Sequence, residues 1–222
     1  MKYPKAFLFD LDGVITDTAE FHYLAWKQLA KELGVTFDRE FNEQLKGISR
    51  MDSLEKILAL NPSLKDLPVE EKERLATKKN DHYKDLIQKL TPQDILPGIK
   101  DLLKDLQNQQ IKIALGSASK NAPMVLERLE LTHYFDYLVD AAKVSKGKPH
   151  PETFTTAADY FNIDYKDCVG VEDAESGVQA LNDAGMFSVG VGNELTEADY
   201  LVEKTADLKL ENILEQYSKW SS

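Results

Sequence analysis

The chain has 222 residues, of which 42% are apolar and 29% charged, and its formal net charge is −11. This composition is typical of a soluble globular domain, alone or with a sizeable insertion, and the acidic balance disfavours nucleic acid and anionic membranes as partners. The single cysteine, Cys168, precludes an internal disulfide. No apolar stretch approaches the roughly 20 residues of a membrane span, and the apolar run before Asp10 is too short for a signal peptide. We therefore expect a cytoplasmic protein.

The first predicted element is a buried strand at Ala6–Phe9, since such a short apolar run cannot form a helix of useful length. From residue 18 to residue 90 the apolar side chains recur with helical spacing, which predicts helices near 18–34, 51–60 and 70–90. No convincing strand pattern appears in this stretch.

Strands and helices alternate after Pro97 and Gly98. The predicted strands lie near 111–115, 137–139, 168–171 and 187–191, and the predicted helices lie near 99–107, 122–129, 151–161 and 176–184. This alternation is typical of βαβ units. We therefore predict an α/β fold with a Rossmann-like parallel sheet and helices on both of its faces.

The helical stretch interrupts this α/β pattern and also differs from it in charge. Residues 17–91 contain 14 acidic and 13 basic residues, whereas the rest of the chain contains 24 and 14. Because pattern and charge change at the same places, we predict a core domain of residues 1–16 and 92–222 with an inserted, all-helical cap domain at 17–91.

Polar side chains follow the predicted strands at the edge where an open parallel sheet binds its ligands. They comprise carboxylate pairs, hydroxyls and lysines, at Asp10 and Asp12, Ser117 and Ser119, Lys146 and Lys148, and Glu172 and Asp173.

The two acidic pairs predict a metal site. Side chains at i and i+2 of a strand point to the same side, so Asp10 and Asp12 would repel each other without a cation. Together with Glu172 and Asp173 they form an all-oxygen set that suits Mg²⁺ and suits zinc poorly. An Asp-x-Asp pair alone also occurs in ordinary turns, but the full string from Phe9 to Thr16 is much more specific.

The sequence resembles the haloacid dehalogenase superfamily of phosphotransferases, essentially from end to end. The four motifs of that superfamily appear in order, at Asp10 and Asp12, Ser117, Lys148, and Glu172 and Asp173. The resemblance implies that Asp10 is a nucleophile that becomes an aspartyl phosphate and that Asp12 is a general acid/base. It also implies that Ser117 and Lys148 hold the phosphoryl group, and that the acidic pair helps to bind Mg²⁺.

Within the superfamily, residues 15–27, 42–50, 79–81 and 113–121 are similar to a subgroup of sugar-phosphate mutases. This implies an isomerase. Phosphate would pass from Asp10 to the 6-hydroxyl of β-glucose 1-phosphate, and the β-glucose 1,6-bisphosphate formed would return its other phosphate and leave glucose 6-phosphate. The resemblance therefore implies Mg²⁺ as metal, the bisphosphate as activating phosphoryl donor, and a monomer.

A site for such a bisphosphate needs a second, outer phosphate subsite. Arg50 is the best candidate for it, because a planar guanidinium binds phosphate through two parallel hydrogen bonds. The other residues expected to contact the substrate are Asp12, His22, Trp26, Gly47, Ile48, Lys79, Ser117, Ala118, Ser119, Lys120 and Asn121.

Other interpretations stay open at this point. Spacing alone does not choose between Lys146 and Lys148, and Arg50 would also fit an exposed ion pair. Further alternatives are a surface position for His22, packing for Trp26, and a helix start at Lys120 and Asn121. The alternative function is a sugar-phosphate phosphatase on the same scaffold. A third alternative is a non-enzymatic phospho-accepting switch. Asp12 and the large cap argue against it, because a switch needs neither.

Overall fold

A computed structural model describes residues 3–45 and 48–222. Its strands form a single sheet and are β1 (Ala6–Phe9), β2 (Lys112–Leu115), β3 (Tyr137–Leu138), β4 (Cys168–Glu172), β5 (Phe187–Val191) and β6 (Tyr200–Val202). Its helices are α1 (Ala19–Glu32), α2 (Arg39–Glu43), α3 (Arg50–Leu58), α4 (Val69–Ile87), α5 (Ile99–Asn108), α6 (Ala122–Arg128), α7 (Glu152–Phe161), α8 (Glu175–Ala184) and α9 (Leu210–Trp220).

The sheet has the strand order β3-β2-β1-β4-β5-β6, and every pair of neighbours is parallel. The order reverses between β1 and β4, and ligands of open α/β sheets bind beyond the strand ends at such a switch point. The fold thus brings the residues after β1 and at the end of β4 to one crevice. The predicted Rossmann-like α/β class is confirmed.

Side chains of β1 alternate between two apolar layers, as the period of a strand requires. Phe7 and Phe9 belong to the layer that packs on α5, α6 and α9, whereas Ala6 and Leu8 belong to the layer that packs on α7 and α8. Each of these four residues is fully buried. Helices therefore cover both faces of the sheet, as predicted, and we call the sheet with α5 to α9 the core.

Helices α1 to α4, which we call the cap, surround an apolar cluster of their own. Its buried members include Trp26 of α1, Leu54 and Ile57 of α3, and Leu75 of α4. Helices α1 and α4 also reach the core, where Tyr83 of α4 packs in the apolar layer that contains Phe7 and Phe9. The cap therefore has its own apolar cluster and lies at the edge of the sheet where the carboxyl ends of the strands meet.

The two chain connections between core and cap run side by side. Thr16 pairs with Ile95 in an isolated antiparallel bridge, and the Leu96 amide donates to the carbonyl of Ile15. The Thr16 hydroxyl donates to the carbonyl of Asp94 at 2.7 Å. These contacts tie together the segments on which the cap is mounted.

Three elements lie where no strand or helix was predicted. The helix α2 has five residues, the strand β6 has three, and α9 has eleven. The buried residues of α9, Leu210, Ile213, Leu214 and Tyr217, do recur at helical spacing. None of the described helices combines the length and the apolar character needed to cross a membrane.

Candidate active site

A cavity of about 630 Å³ separates the core from the cap at the switch point of the sheet. Asp10, Asp12 and Ser117 line it from the core, and Arg50 and Lys79 line it from the cap. The other predicted ligand-contact residues that line it are His22, Trp26, Ile48, Ala118, Ser119, Lys120, Asn121 and Asp173. Residues predicted from separate stretches of sequence are therefore collected around one space.

Lys148 lies behind this cavity, between two carboxylates. Its Nζ donates to Oδ1 of Asp10 at 2.6 Å and to Oε1 of Glu172, and its side chain has no exposed surface. Burial alone would lower the pKa of the Lys148 ammonium, but the charges of Asp10 and Glu172 and the hydrogen bonds to them raise it above its usual value. Lys148 therefore stays charged and faces the carboxylate of Asp10. Lys146, by contrast, is exposed.

Three carboxylates meet beside Lys148. Asp10, Glu172 and Asp173 each place an oxygen within 4.8 Å of the others. Two of them, Asp173 and Glu172, pack closely against glycines, since a Cβ at Gly13, whose φ is +76°, would overlap Oδ2 of Asp173. A Cβ at Gly177 would lie 1.9 Å from Oε1 of Glu172.

This donor set fits Mg²⁺. It consists of hard oxygen ligands, and its three carboxylates outnumber the one ammonium of Lys148. Burial and the charge of Asp10 raise the pKa of Glu172, while Lys148 opposes the shift. A divalent cation would offset that cost of holding like charges together. The side chain of Asp12, although predicted as a metal ligand, does not belong to the group.

The carboxylate of Asp12 faces the cap connection instead. The Thr18 hydroxyl donates to its Oδ1, and Nε2 of His22 lies 3.8 Å from its Oδ2. Burial and the nearby charge of Asp10 raise the pKa of Asp12 to about 8. A carboxyl group with such a pKa exchanges protons near neutral pH, which is what a general acid/base requires.

Lys79 contacts both His22 and aromatic side chains of the cap. Its Nζ donates to Nδ1 of His22 at 2.8 Å and lies 4.6 Å above the ring of Trp26 and 4.9 Å above that of Tyr83. Burial and the charge of Arg50 lower the pKa of Lys79 to about 7. Burial and the charge of Lys79 also keep the pKa of His22 well below its usual value. His22 is therefore neutral, and its Nε2 faces Asp12.

The loop after β2 supplies hydroxyls and amides. The Ser119 amide donates to the hydroxyl of Ser117 at 3.1 Å, and the Asn121 amide donates to the hydroxyl of Ser119 at 3.3 Å. The side chain of Asn121 crosses to the cap, where its Nδ2 donates to Oδ1 of Asn80 at 2.7 Å.

The first turn of α3 carries one of the cationic groups of the cap. Ser49 caps this helix by accepting from the Asp52 amide at 3.2 Å, and Arg50 follows it at the cavity wall. Burial lowers the pKa of the Arg50 guanidinium, which nevertheless stays positive because arginine is effectively always protonated.

Some functional candidates lie elsewhere or were missed. Gly47, predicted to contact the substrate, lies outside the described residues. Thr18, Asn80 and Tyr83 contact the site and were not predicted as site residues. Asn80 and Tyr83 act through partners far away in the sequence, whereas Thr18 lies only six positions from Asp12. Only the stretch Lys79-Asn80-Asp81, similar to the mutase subgroup, hinted at Asn80.

Comparisons with known proteins agree with this geometry. The family model of haloacid dehalogenase-like hydrolases matches residues 4–185. A β-phosphoglucomutase of Bacillus subtilis (strain 168) is 49% identical over 97% of this chain and 96% of its own. A crystal structure of the β-phosphoglucomutase of Clostridium difficile is also 49% identical and superposes with a TM-score of 0.96 over 98% of both chains.

More distant relatives include phosphatases. A fructose-1-phosphate phosphatase of Escherichia coli (strain K12) is 32% identical over 83% of this chain and 94% of its own. The match to the mutases is thus both stronger and more complete. The chain belongs to the haloacid dehalogenase-like hydrolase family, and within that family it groups with the β-phosphoglucomutases.

Proposed function

We propose that this chain is a β-phosphoglucomutase, an isomerase that interconverts β-glucose 1-phosphate and glucose 6-phosphate. The near full-length identity of 49% to the Bacillus subtilis mutase carries the proposal. The cavity supports it, because carboxylates of the core face cationic side chains of residues 17–91, which act as the cap domain.

Asp10 is the nucleophile in this proposal. One of its oxygens attacks phosphorus, and the bond from phosphorus to the leaving oxygen breaks, which gives an aspartyl phosphate. The ammonium of Lys148, 2.6 Å from Oδ1 of Asp10, offsets the charge that the carboxylate and the phosphoryl group bring together. The hydroxyl of Ser117, on the cavity wall, donates to the transferred group.

Asp10, Glu172 and Asp173 are the residues that would hold Mg²⁺. When bound there, the ion supplies positive charge that stabilises the transferring phosphoryl group.

Asp12 acts as the general acid/base. In its protonated form it gives a proton to the leaving oxygen, and in its ionised form it takes the proton from the attacking 6-hydroxyl. Thr18 holds its carboxylate from the cap side by a hydrogen bond, and His22 lies beside it. The Asp12 geometry therefore depends on the position of the cap, which favours transfer to a sugar over transfer to water.

The second phosphate of the intermediate occupies an outer subsite. Arg50 binds it from the cap, and the loop after β2 binds it from the core with Ser119, Lys120 and Asn121. His22, Trp26 and Lys79 face the sugar between the two phosphates, together with Ile48 and Ala118. β-Glucose 1,6-bisphosphate can then turn over within the site and return its other phosphate to Asp10.

One incubation separates this proposal from the phosphatase alternative, which the resemblance to the fructose-1-phosphate phosphatase keeps open. The protein is mixed with Mg²⁺, β-glucose 1-phosphate and a catalytic amount of β-glucose 1,6-bisphosphate. Glucose 6-phosphate without inorganic phosphate supports the mutase, whereas stoichiometric inorganic phosphate identifies a phosphatase.

We further propose that the enzyme acts as a cytoplasmic monomer on small sugar phosphates. The buried, single cysteine, Cys168, is compatible with a reducing compartment, and the family resemblance favours the monomer. Light scattering tests the oligomeric state, since a mass of two chains would contradict it.

A further inference from the structure

A buried hydrogen bond joins the cap to the core inside the cavity. Nδ2 of Asn121 donates to Oδ1 of Asn80 at 2.7 Å, although 41 positions separate the two residues in the chain. Asn80 lies on α4 of the cap, Asn121 directly precedes α6 of the core, and both line the cavity. Asn80 is 8% exposed and Asn121 is 7% exposed, so water competes little for this bond.

The side chain of Asn121 does not cap the helix that it precedes. It occupies the N-cap of α6, where asparagine side chains commonly accept a hydrogen bond from the backbone of the first turn. The Asn121 side chain makes no such bond, and its amide reaches across to Asn80 instead. The cap, and not the helix that Asn121 begins, therefore sets the orientation of this amide.

That orientation decides what the amide offers to an anion. The side chain of asparagine has two N–H donors on nitrogen and an oxygen that only accepts. While Oδ1 of Asn80 accepts one N–H of Asn121, the nitrogen of Asn121 stays on the side that faces Asn80. Its second N–H remains a donor. In the flipped orientation the oxygen would take the place of the nitrogen, and an amide oxygen cannot donate a hydrogen bond to a phosphate.

We propose that Asn80 is a positioning residue for the outer phosphate subsite: its Oδ1 fixes the Asn121 amide so that nitrogen, and not oxygen, faces a phosphate group of the substrate. The inference rests on the proposed function for the identity of the sugar phosphate. It also couples the subsite to the cap, because the accepting side chain lies on α4.

A double-mutant cycle tests this assignment. The variants are Asn80→Leu, which has a similar shape but no acceptor, Asn121→Ala, and the two combined. Calorimetry measures the affinity of each for glucose 6-phosphate, and Asp85→Asn, on the exposed side of the same helix, is the control. We expect each single variant to lose roughly tenfold in affinity, a change typical of one hydrogen bond. The double variant should be no weaker than Asn121→Ala, because Asn80 acts through Asn121.

Independent, multiplying losses in the double variant would overturn the proposal, and so would an unchanged affinity in Asn80→Leu. If Asn80→Leu does not fold, Asn80→Ala enters the same cycle. A merely structural role would lower Tm and kcat, whereas we expect the KM for β-glucose 1-phosphate to rise more than kcat falls. Wild-type release of inorganic phosphate in place of glucose 6-phosphate would refute the proposed mutase, while the affinity cycle would still report on Asn80.

Discussion

Thr18 donates a hydrogen bond from its hydroxyl to Oδ1 of Asp12, and its hydroxyl in turn accepts one from Tyr83 at 3.1 Å. Thr18 lies on the connection into the cap, and Tyr83 lies on α4 of the cap. The carboxylate proposed to move protons is therefore held from the cap side.

Replacement of Thr18 by valine keeps the shape of the side chain and removes the hydroxyl that holds Asp12. We expect Thr18→Val to lower kcat roughly tenfold or more, because a misplaced acid/base loses much of its effect. Steady-state kinetics with β-glucose 1-phosphate measures kcat. The matched control is Thr132→Val, because Thr132 is exposed. An unchanged kcat would show that the Thr18 hydroxyl does not support the acid/base action of Asp12.

The nucleophile prediction concerns Asp10. Asp10→Asn keeps the size of the side chain but removes the carboxylate that must form the aspartyl phosphate, so we expect it to abolish turnover. Intact-protein mass spectrometry after incubation with the bisphosphate should show a phosphorylated wild type and an unmodified variant. Persisting turnover by the variant would refute the nucleophile assignment.

The outer phosphate subsite predicts an uneven effect of Arg50→Ala. A hydrogen bond to a charged group contributes about 1.5–3 kcal/mol, which corresponds to roughly 10- to 150-fold in binding. We expect KM for the bisphosphate to rise by this order, and hydrolysis of a small phosphate ester to change much less. Equal losses for both substrates would place Arg50 outside the outer subsite.

Lys79 predicts a pH dependence of binding. Its pKa is about 7, so the free enzyme progressively loses this charge as the pH rises through 7. An anionic sugar phosphate favours the ammonium and raises that pKa, so binding at pH 8 should take up protons, and affinity should fall with rising pH.

Calorimetry of glucose 6-phosphate in buffers of different ionisation enthalpy measures this uptake. Lys79→Met should take up fewer protons than the wild type and show a shallower loss of affinity above pH 7. An identical proton uptake in both proteins would show that Lys79 does not change its protonation state on binding.

Much of the core and its chemistry follows from local patterns in the sequence. Asp10 and Glu172 were found because each stands at the end of a short apolar strand, and parallel strands bring such ends together. Spacing left open the choice between Lys146 and Lys148, and the structure places Lys148 in contact with Asp10 while Lys146 is exposed.

The contacts between cap and core could not be predicted in the same way. Thr18 meets Tyr83 across 65 positions and Asn80 meets Asn121 across 41, so neither pair leaves a periodic signal. The partners of the Asp12 carboxylate could not be predicted from spacing either. Its spacing from Asp10 suggests a metal ligand, but its carboxylate turns to Thr18 and His22.

The origin of the phosphate in the first molecule of product tests the central claim most directly. The enzyme is first phosphorylated with unlabelled bisphosphate and then mixed, for a single turnover, with β-glucose 1-phosphate that carries ³²P. The proposed cycle predicts unlabelled glucose 6-phosphate and label on Asp10, because the enzyme's phosphate goes to the 6-hydroxyl and the 1-phosphate returns to the enzyme. Label in glucose 6-phosphate on this first turnover, or phosphate released to water, would contradict it.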